Sequence, residues 1–279
     1  MGQWIKKHYI RIILAAGGLA FFVLYSYLNF AAPLRFNSPD ETANYFFINL
    51  FSEQSRIWTF ESTNLFLDGM VHPRSIRVID DFLVPGGFLG MIFIYGIAAK
   101  LITPALTIYL TPLFAVIAGW AFFSITKKYL GERYGLLAWL LFSVHPAWWY
   151  YTSRGLLPNV LFLSLLIISV YFIFIRPFAR RRLGKGLDAG GLIVGNLDWI
   201  SAGLFLGLAL FVRPAEAPWI ALAGTALAAM NCKKIKWASV AALVAVAFLI
   251  FSPTLILNNY LYGGALKTGY NAAAVSAPG

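Results

Sequence analysis

From residue 10 to residue 32 the chain runs almost without charge, for about the length that a helix needs to cross the hydrocarbon core of a bilayer. A helix of roughly 20 apolar residues satisfies its own backbone hydrogen bonds and needs no water to do so. The run is longer than the core of a signal peptide and no cleavage site follows it, so it reads as an uncleaved first span. Apolar runs return at about 86–101, 104–126, 134–151, 156–175, 198–212, 215–231 and 236–257. The chain is 60% hydrophobic and 12% charged, against roughly a quarter charged in soluble domains. The expected fold is an all-α polytopic membrane protein, with residues 1–279 forming a single transmembrane domain.

Orientation follows from the basic residues. Lys6, Lys7 and Arg11 flank the first run. Lys127, Lys128 and Arg133 form a second cluster, Arg176, Arg180, Arg181, Arg182 and Lys185 a third, and Lys233, Lys234 and Lys236 a fourth; together they hold fourteen of the 22 Lys and Arg. In a soluble protein a net charge of +11 would point to nucleic acid. Clustered between apolar runs, it points to positive-inside topology instead, and nucleic-acid binding is set aside. All four clusters are then cytoplasmic. Residues 33–85 hold four Arg and seven acids, a balance suited to an extracytoplasmic loop.

For Lys127 to return to the cytoplasm, an odd number of crossings must separate it from that loop. The 86–101 run is short and rich in glycine (Gly86, Gly87, Gly90, Gly96), so it reads as a half-embedded or interfacial helix, with 104–126 as the second crossing. About seven transmembrane helices result, plus interfacial helices in the large first outer loop. The N-terminus is cytoplasmic and residues 258–279 lie outside, in a multi-pass protein of the cell membrane. Cys232 is the sole cysteine, so neither an internal disulfide nor a cysteine metal cluster forms.

With this topology the scarce polar groups gather on the outer face. The first loop carries Asp40 and Glu41 directly after Ser38-Pro39. One reading is local: Ser38 caps a helix, Pro39 takes its first position, and the acids complement the dipole. The other is chemical: a carboxylate at the membrane surface acts as general base or binds a divalent metal. The two readings have equal weight from the pattern alone. Adjacent helical residues point about 100° apart, so Asp40 can face a site while Glu41 supports it. His72, Arg74 and Arg77 follow in the same loop, and Arg154 and Arg213 lie at outer ends of spans. Arginines there suit a phosphate, or simply snorkel or pair with Glu216, Asp80 or Asp81. The three histidines make no zinc pattern, and no glycine loop has nucleotide-binding spacing.

Four segments carry a family resemblance. One basic-flanked span leads to an outer loop opening with Ser-Pro-Asp40-Glu41 and an aromatic-rich helix. Pro-Gly-Gly-Phe-Leu-Gly (85–90) starts a short helix ending near Lys100. Lys-Lys-Tyr-Leu-Gly-Glu-Arg-Tyr-Gly leads into a span ending His-Pro-Ala-Trp-Trp-Tyr-Tyr-Thr-Ser-Arg154. Last come Gly-Leu-Ala-Leu-Phe-Val-Arg213-Pro and a tail, Asn-Asn-Tyr-Leu-Tyr-Gly-Gly-Ala-Leu-Lys-Thr-Gly-Tyr270. In this order the chain resembles the multi-spanning glycosyltransferases of the C superfamily, the group of protein O-mannosyltransferases and lipid A aminoarabinose transferases.

The resemblance implies transfer of a sugar from a polyprenyl-phosphate carrier to a protein, lipid or glycan acceptor at the outer face. It makes Asp40 the base or acceptor-orienting carboxylate, with Glu41 beside it. His72, Arg74, Arg77, Arg154 and Arg213 become donor-phosphate ligands, and Tyr270 an acceptor or lipid contact. No cofactor is specified by the sequence, and a divalent metal is left open. Many relatives carry an acid after the Ser-Arg turn, where this chain has Leu157-Pro158-Asn159, which weakens a metal site. Relatives are also longer, so the chain reads as an N-terminal portion, truncated within a second outer loop. Two other classes compete: a transporter or flippase of lipid-linked sugars, and a non-catalytic membrane subunit. The spans are nearly clean of ionisable groups and show no internal repeat, which favours the transferase over the transporter.

Overall fold

The computed structural model describes residues 2–175, 191–230, 232 and 236–271, with backbone alone for 2–7 and 191–196. The basic residues from Arg176 to Lys185, and Lys233 and Lys234, lie outside this set. Ten α-helices dominate the described residues. The first, α1 (Gly2–Ala31), leads into α2 (Pro39–Gln54). Three short strands follow: β1 (Thr59–Phe60), β2 (Ile76–Ile79) and β3 (Phe82–Pro85). Then come α3 (Gly90–Leu101), α4 (Leu110–Leu130), α5 (Glu132–Val144), α6 (Pro146–Ser153) and α7 (Pro158–Phe174). The chain closes with α8 (Gly191–Val212), α9 (Ala217–Met230) and α10 (Trp237–Tyr262).

Three helical stretches are long and apolar enough to cross a membrane: His8–Ala31, Pro104–Leu130 and Trp237–Tyr262. The number rises to five if two bent pairs each count once, α6 with α7 and the second half of α8 with α9. The α6–α7 bend is 115° and the α8–α9 bend 113°. Both exceed a right angle, so the chain doubles back at Arg154 and again at Arg213. The apolar run 134–151 is not one helix. Pro146 has no N–H to donate and disfavours helical backbone in the residue before it. His145 accordingly sits at φ −59°, ψ 128°, between α5 and α6.

The first loop is more structured than its composition implies. β3 pairs antiparallel with both β1 and β2, in the order β1-β3-β2. The β2–β3 hairpin turns on Asp80 and Asp81, at φ 48° and 64°, the left-handed pair that a tight two-residue hairpin demands. This sheet is a small departure from the expected all-α architecture.

The largest hydrophobic core lies where the loop meets the bundle. Phe47 and Ile48 of α2 pack with Met91, Ile92 and Tyr95 of α3, and with Leu161, Leu165 and Val212 from α7 and α8. The tightest contact is at Gly90, where a side chain would collide with the backbone of Phe211 and Val212. A Gly90→Ala substitution must push two backbones apart. It is expected to cost about 1–3 kcal/mol, read as a lower unfolding temperature of the protein in detergent.

Candidate functional site

The N-terminus of α2 is capped as its sequence requires. Ser38 is extended (φ −131°, ψ 139°) and its Oγ accepts from the Asp40 N–H at 3.2 Å, with Pro39 at the first helical position. This leaves Asp40 and Glu41 in the first turn, where the helix dipole favours negative charge. Their surroundings differ sharply. Asp40 is exposed, and its Oδ1 accepts a hydrogen bond from the Ser75 hydroxyl, which reaches it from the turn before β2.

Glu41 points inward and is 4% exposed. Its Oε2 lies 4.0 Å from Nη1 of Arg154 and has no hydrogen-bond partner among the described residues. Burial pushes the Glu41 carboxyl pKa above its ordinary value, and the Arg154 charge works against that shift. Arg154 itself lies over the Tyr150 ring, 4.6 Å from its centroid.

Arg213 is held from two sides. Its Nη1 donates to Asn159 Oδ1 at 2.6 Å, and its Nη2 pairs with Glu216 at 2.9 Å. Its buried Nε–H finds no acceptor among the described residues. The guanidinium is thus held in one orientation, and its pairing with Glu216 is one of the two roles its sequence position allowed.

The segment after α10 folds back over this end of the molecule. Arg77 Nε donates to the Gly269 carbonyl at 3.1 Å, and Tyr262 donates to the Pro85 carbonyl at 2.8 Å. The Tyr270 ring then packs edge-on against Phe88, with centroids 4.8 Å apart. Its hydroxyl pKa is raised by burial and then by the Asp40 charge, while Arg213 pulls it down. The residue as a whole is 56% exposed, and its hydroxyl is the part that is enclosed, lying beside Gly87.

The eight residues singled out from sequence separate into three groups. Asp40, Glu41, Arg154, Arg213 and Tyr270 gather at one end of the bundle. Arg77 serves that end indirectly, by anchoring the segment that carries Tyr270. His72 and Arg74 lie on the exposed turn before β2, with His72 Nδ1 3.1 Å from the Pro73 carbonyl. Arg74 makes no hydrogen bond or ion pair among the described residues.

Two partners escaped the sequence reading. Ser75 touches Asp40 from 35 positions away, and Asn159 holds Arg213 from 54. Neither has a local signal; Asn159 drew notice only as the residue after Leu157-Pro158. Among the described residues no group of three or more His, Cys, Asp or Glu assembles. No known protein family, curated protein or solved structure matches the chain.

Proposed function

We propose that this chain is a multi-pass membrane glycosyltransferase that takes a sugar from a polyprenyl-phosphate carrier. The observation that carries the reading is the convergence of exposed Asp40, Tyr270 and Arg213 on the segment from Ser75 to Gly90, at the end of an apolar helical bundle that holds the largest core: Ser75 bonds Asp40, Gly87 lies beside the Tyr270 hydroxyl, and Gly90 packs on the backbone of Phe211 and Val212. Sites work when their supporting shell is rigid, and the main core lies beneath this one.

The proposed topology keeps the N-terminus in the cytoplasm, with seven crossings and the site outside. Two features favour it. At 1.5 Å per residue, the 12 residues of α3 cover about 18 Å of a core of about 30 Å; α5 and α9, with 13 and 14 residues, are little longer, so it is the parity of the basic clusters that keeps α3 at the interface. The reversals at Arg154 and Arg213 fall where the outer turns belong.

In the proposed reaction the acceptor hydroxyl gives its proton to Asp40 as its oxygen bonds to the anomeric carbon. The bond from that carbon to the phosphate oxygen breaks, and its electron pair leaves with the phosphate. The carrier goes from a singly charged diester to a monoester with a second negative charge. Arg213 meets that developing charge, the point at which a fixed donor has most effect. Glu41 and Arg154 hold the first turn of α2 against the α6–α7 turn.

The test supplies a radiolabelled polyprenyl-phosphate sugar to the protein in proteoliposomes and follows label into the acceptor fraction. Transfer is expected, and Arg213→Gln should lower kcat/KM by about a hundredfold. Label that crosses the bilayer still attached to its carrier would instead make the protein a transporter.

A further inference from the structure

At the end of the bundle opposite Asp40, a cleft of about 360 Å³ opens between α1, the last turn of α4 and the start of α5. Most of its accessible lining is polar, with apolar side chains packed beneath it. Ile10 and Phe123, 7% and 5% exposed, pack with Trp139, and Leu14 lies against them. Its rim is cationic, with Arg11 on one side and Lys127 on the other. Arg11 is exposed and has no acidic partner among the described residues. Lys127 donates to Glu132, which also lines the cleft, and its Nζ sits 5.7 Å from the Phe123 ring centroid. An ammonium has three donors, so this bond leaves two for another acceptor. The lining carries two positive charges and one negative.

We propose that this cleft seats the headgroup phosphate of an anionic phospholipid of the cytoplasmic leaflet. The proposal rests on the membrane reading above but not on the transferase chemistry. The phosphate belongs between Arg11 and Lys127, and an acyl chain follows the outside of α1. That face is available: only 22% of the α1 apolar window is buried, and Ile12, Ile13 and Leu19 are exposed. Free phosphate shares the headgroup's charge, but the exposed apolar face of α1 beside the cleft selects the lipid. Basic groups at this leaflet also attract anionic lipid. The cleft differs from a diffuse basic surface in having a cavity and a carboxylate that opposes the ligand.

The full chain, reconstituted in phosphatidylcholine nanodiscs containing a minor fraction of phosphatidylglycerol, is released for native mass spectrometry of retained lipid. Phosphatidylglycerol should be enriched over its share of the disc. Arg11→Gln and Lys127→Gln should each reduce that enrichment by about fivefold. Glu132→Gln should increase it by removing the repelling charge, a gain that a misfolded variant cannot produce. Arg133→Gln, an exposed charge at the same end but outside the cleft lining, should change nothing.

Loss of enrichment in Glu132→Gln would make the Lys127–Glu132 pair a structural brace and overturn the proposal. A loss in Arg133→Gln as large as that in Arg11→Gln would reduce the effect to surface charge. Displacement of the lipid by excess inorganic phosphate would make this a soluble-phosphate site and overturn the lipid assignment. Failure to enter the discs at all defeats the membrane reading, whereas entry without any preference for phosphatidylglycerol defeats the site alone.

Discussion

Asp40→Asn should lower the proposed sugar transfer by about a thousandfold, within the range for removal of a general base, while leaving donor binding intact. The substitution suits the question because it changes little else. An asparagine Oδ1 still accepts from the Ser75 hydroxyl, and the Ser38 cap is made by the Asp40 N–H rather than by its side chain. Asp40 is exposed, so no core contact is lost. What disappears is the capacity to take the acceptor's proton and the negative charge beside Tyr270. Transfer and binding are measured separately, with labelled polyprenyl-phosphate sugar in single-turnover and equilibrium-retention experiments. Unchanged transfer removes Asp40 from the chemistry. Loss of both transfer and binding makes it part of the donor site instead.

The α2 terminus was legible because its determinants are local. Ser38, Pro39 and two acids in sequence describe a capped first turn, and the structure contains that turn. The same four residues could not reveal how differently the two acids are placed. Glu41 is buried beside Arg154 of the α6–α7 turn, whereas Asp40 meets the Ser75 hydroxyl and stays exposed. Those outcomes depend on contacts with residues distant in the chain.

The expected alternation of spans put Arg154, Arg213 and Tyr270 on one face, and in the structure the turns that carry them lie at one end of the bundle. The β-sheet was not foreseeable. Its strands are two to four residues long, and its hairpin turns on Asp-Asp in place of the Asn-Gly or Asp-Gly pair that marks such turns. Those aspartates counted toward the loop's acidity and concealed a turn. The division of 134–151 was carried by Pro146, whose effect on His145 is local. Continuous hydropathy on both sides masked it, because a membrane-length run reads the same whether or not a helix breaks within it.

Arg154→Ala should destabilise the protein by about 2 kcal/mol at neutral pH, and most of that loss should vanish on acidification. Removing one member of a buried ion pair strands the other, typically at about 3–5 kcal/mol. The cost here is smaller because the gap is 4.0 Å and the Arg154 side chain is 22% exposed. Burial already raises the Glu41 pKa in the folded protein, with Arg154 opposing it. Without the cation the pKa rises further. A raised folded pKa means that the native state binds this proton more tightly than the unfolded chain does. The associated stability is therefore fully present below the unfolded carboxylate value of about 4.3 and is lost as pH climbs through the folded value. The deficit of Arg154→Ala should be large at pH 8 and small near pH 4.5, by tryptophan-detected unfolding in detergent. Glu41→Gln should rescue Arg154→Ala at pH 8, because a neutral amide needs no cation. A deficit that is equal at both pH values, or unchanged in the double variant, would assign the effect to Arg154 packing on Tyr150 and leave Glu41 without a partner in function.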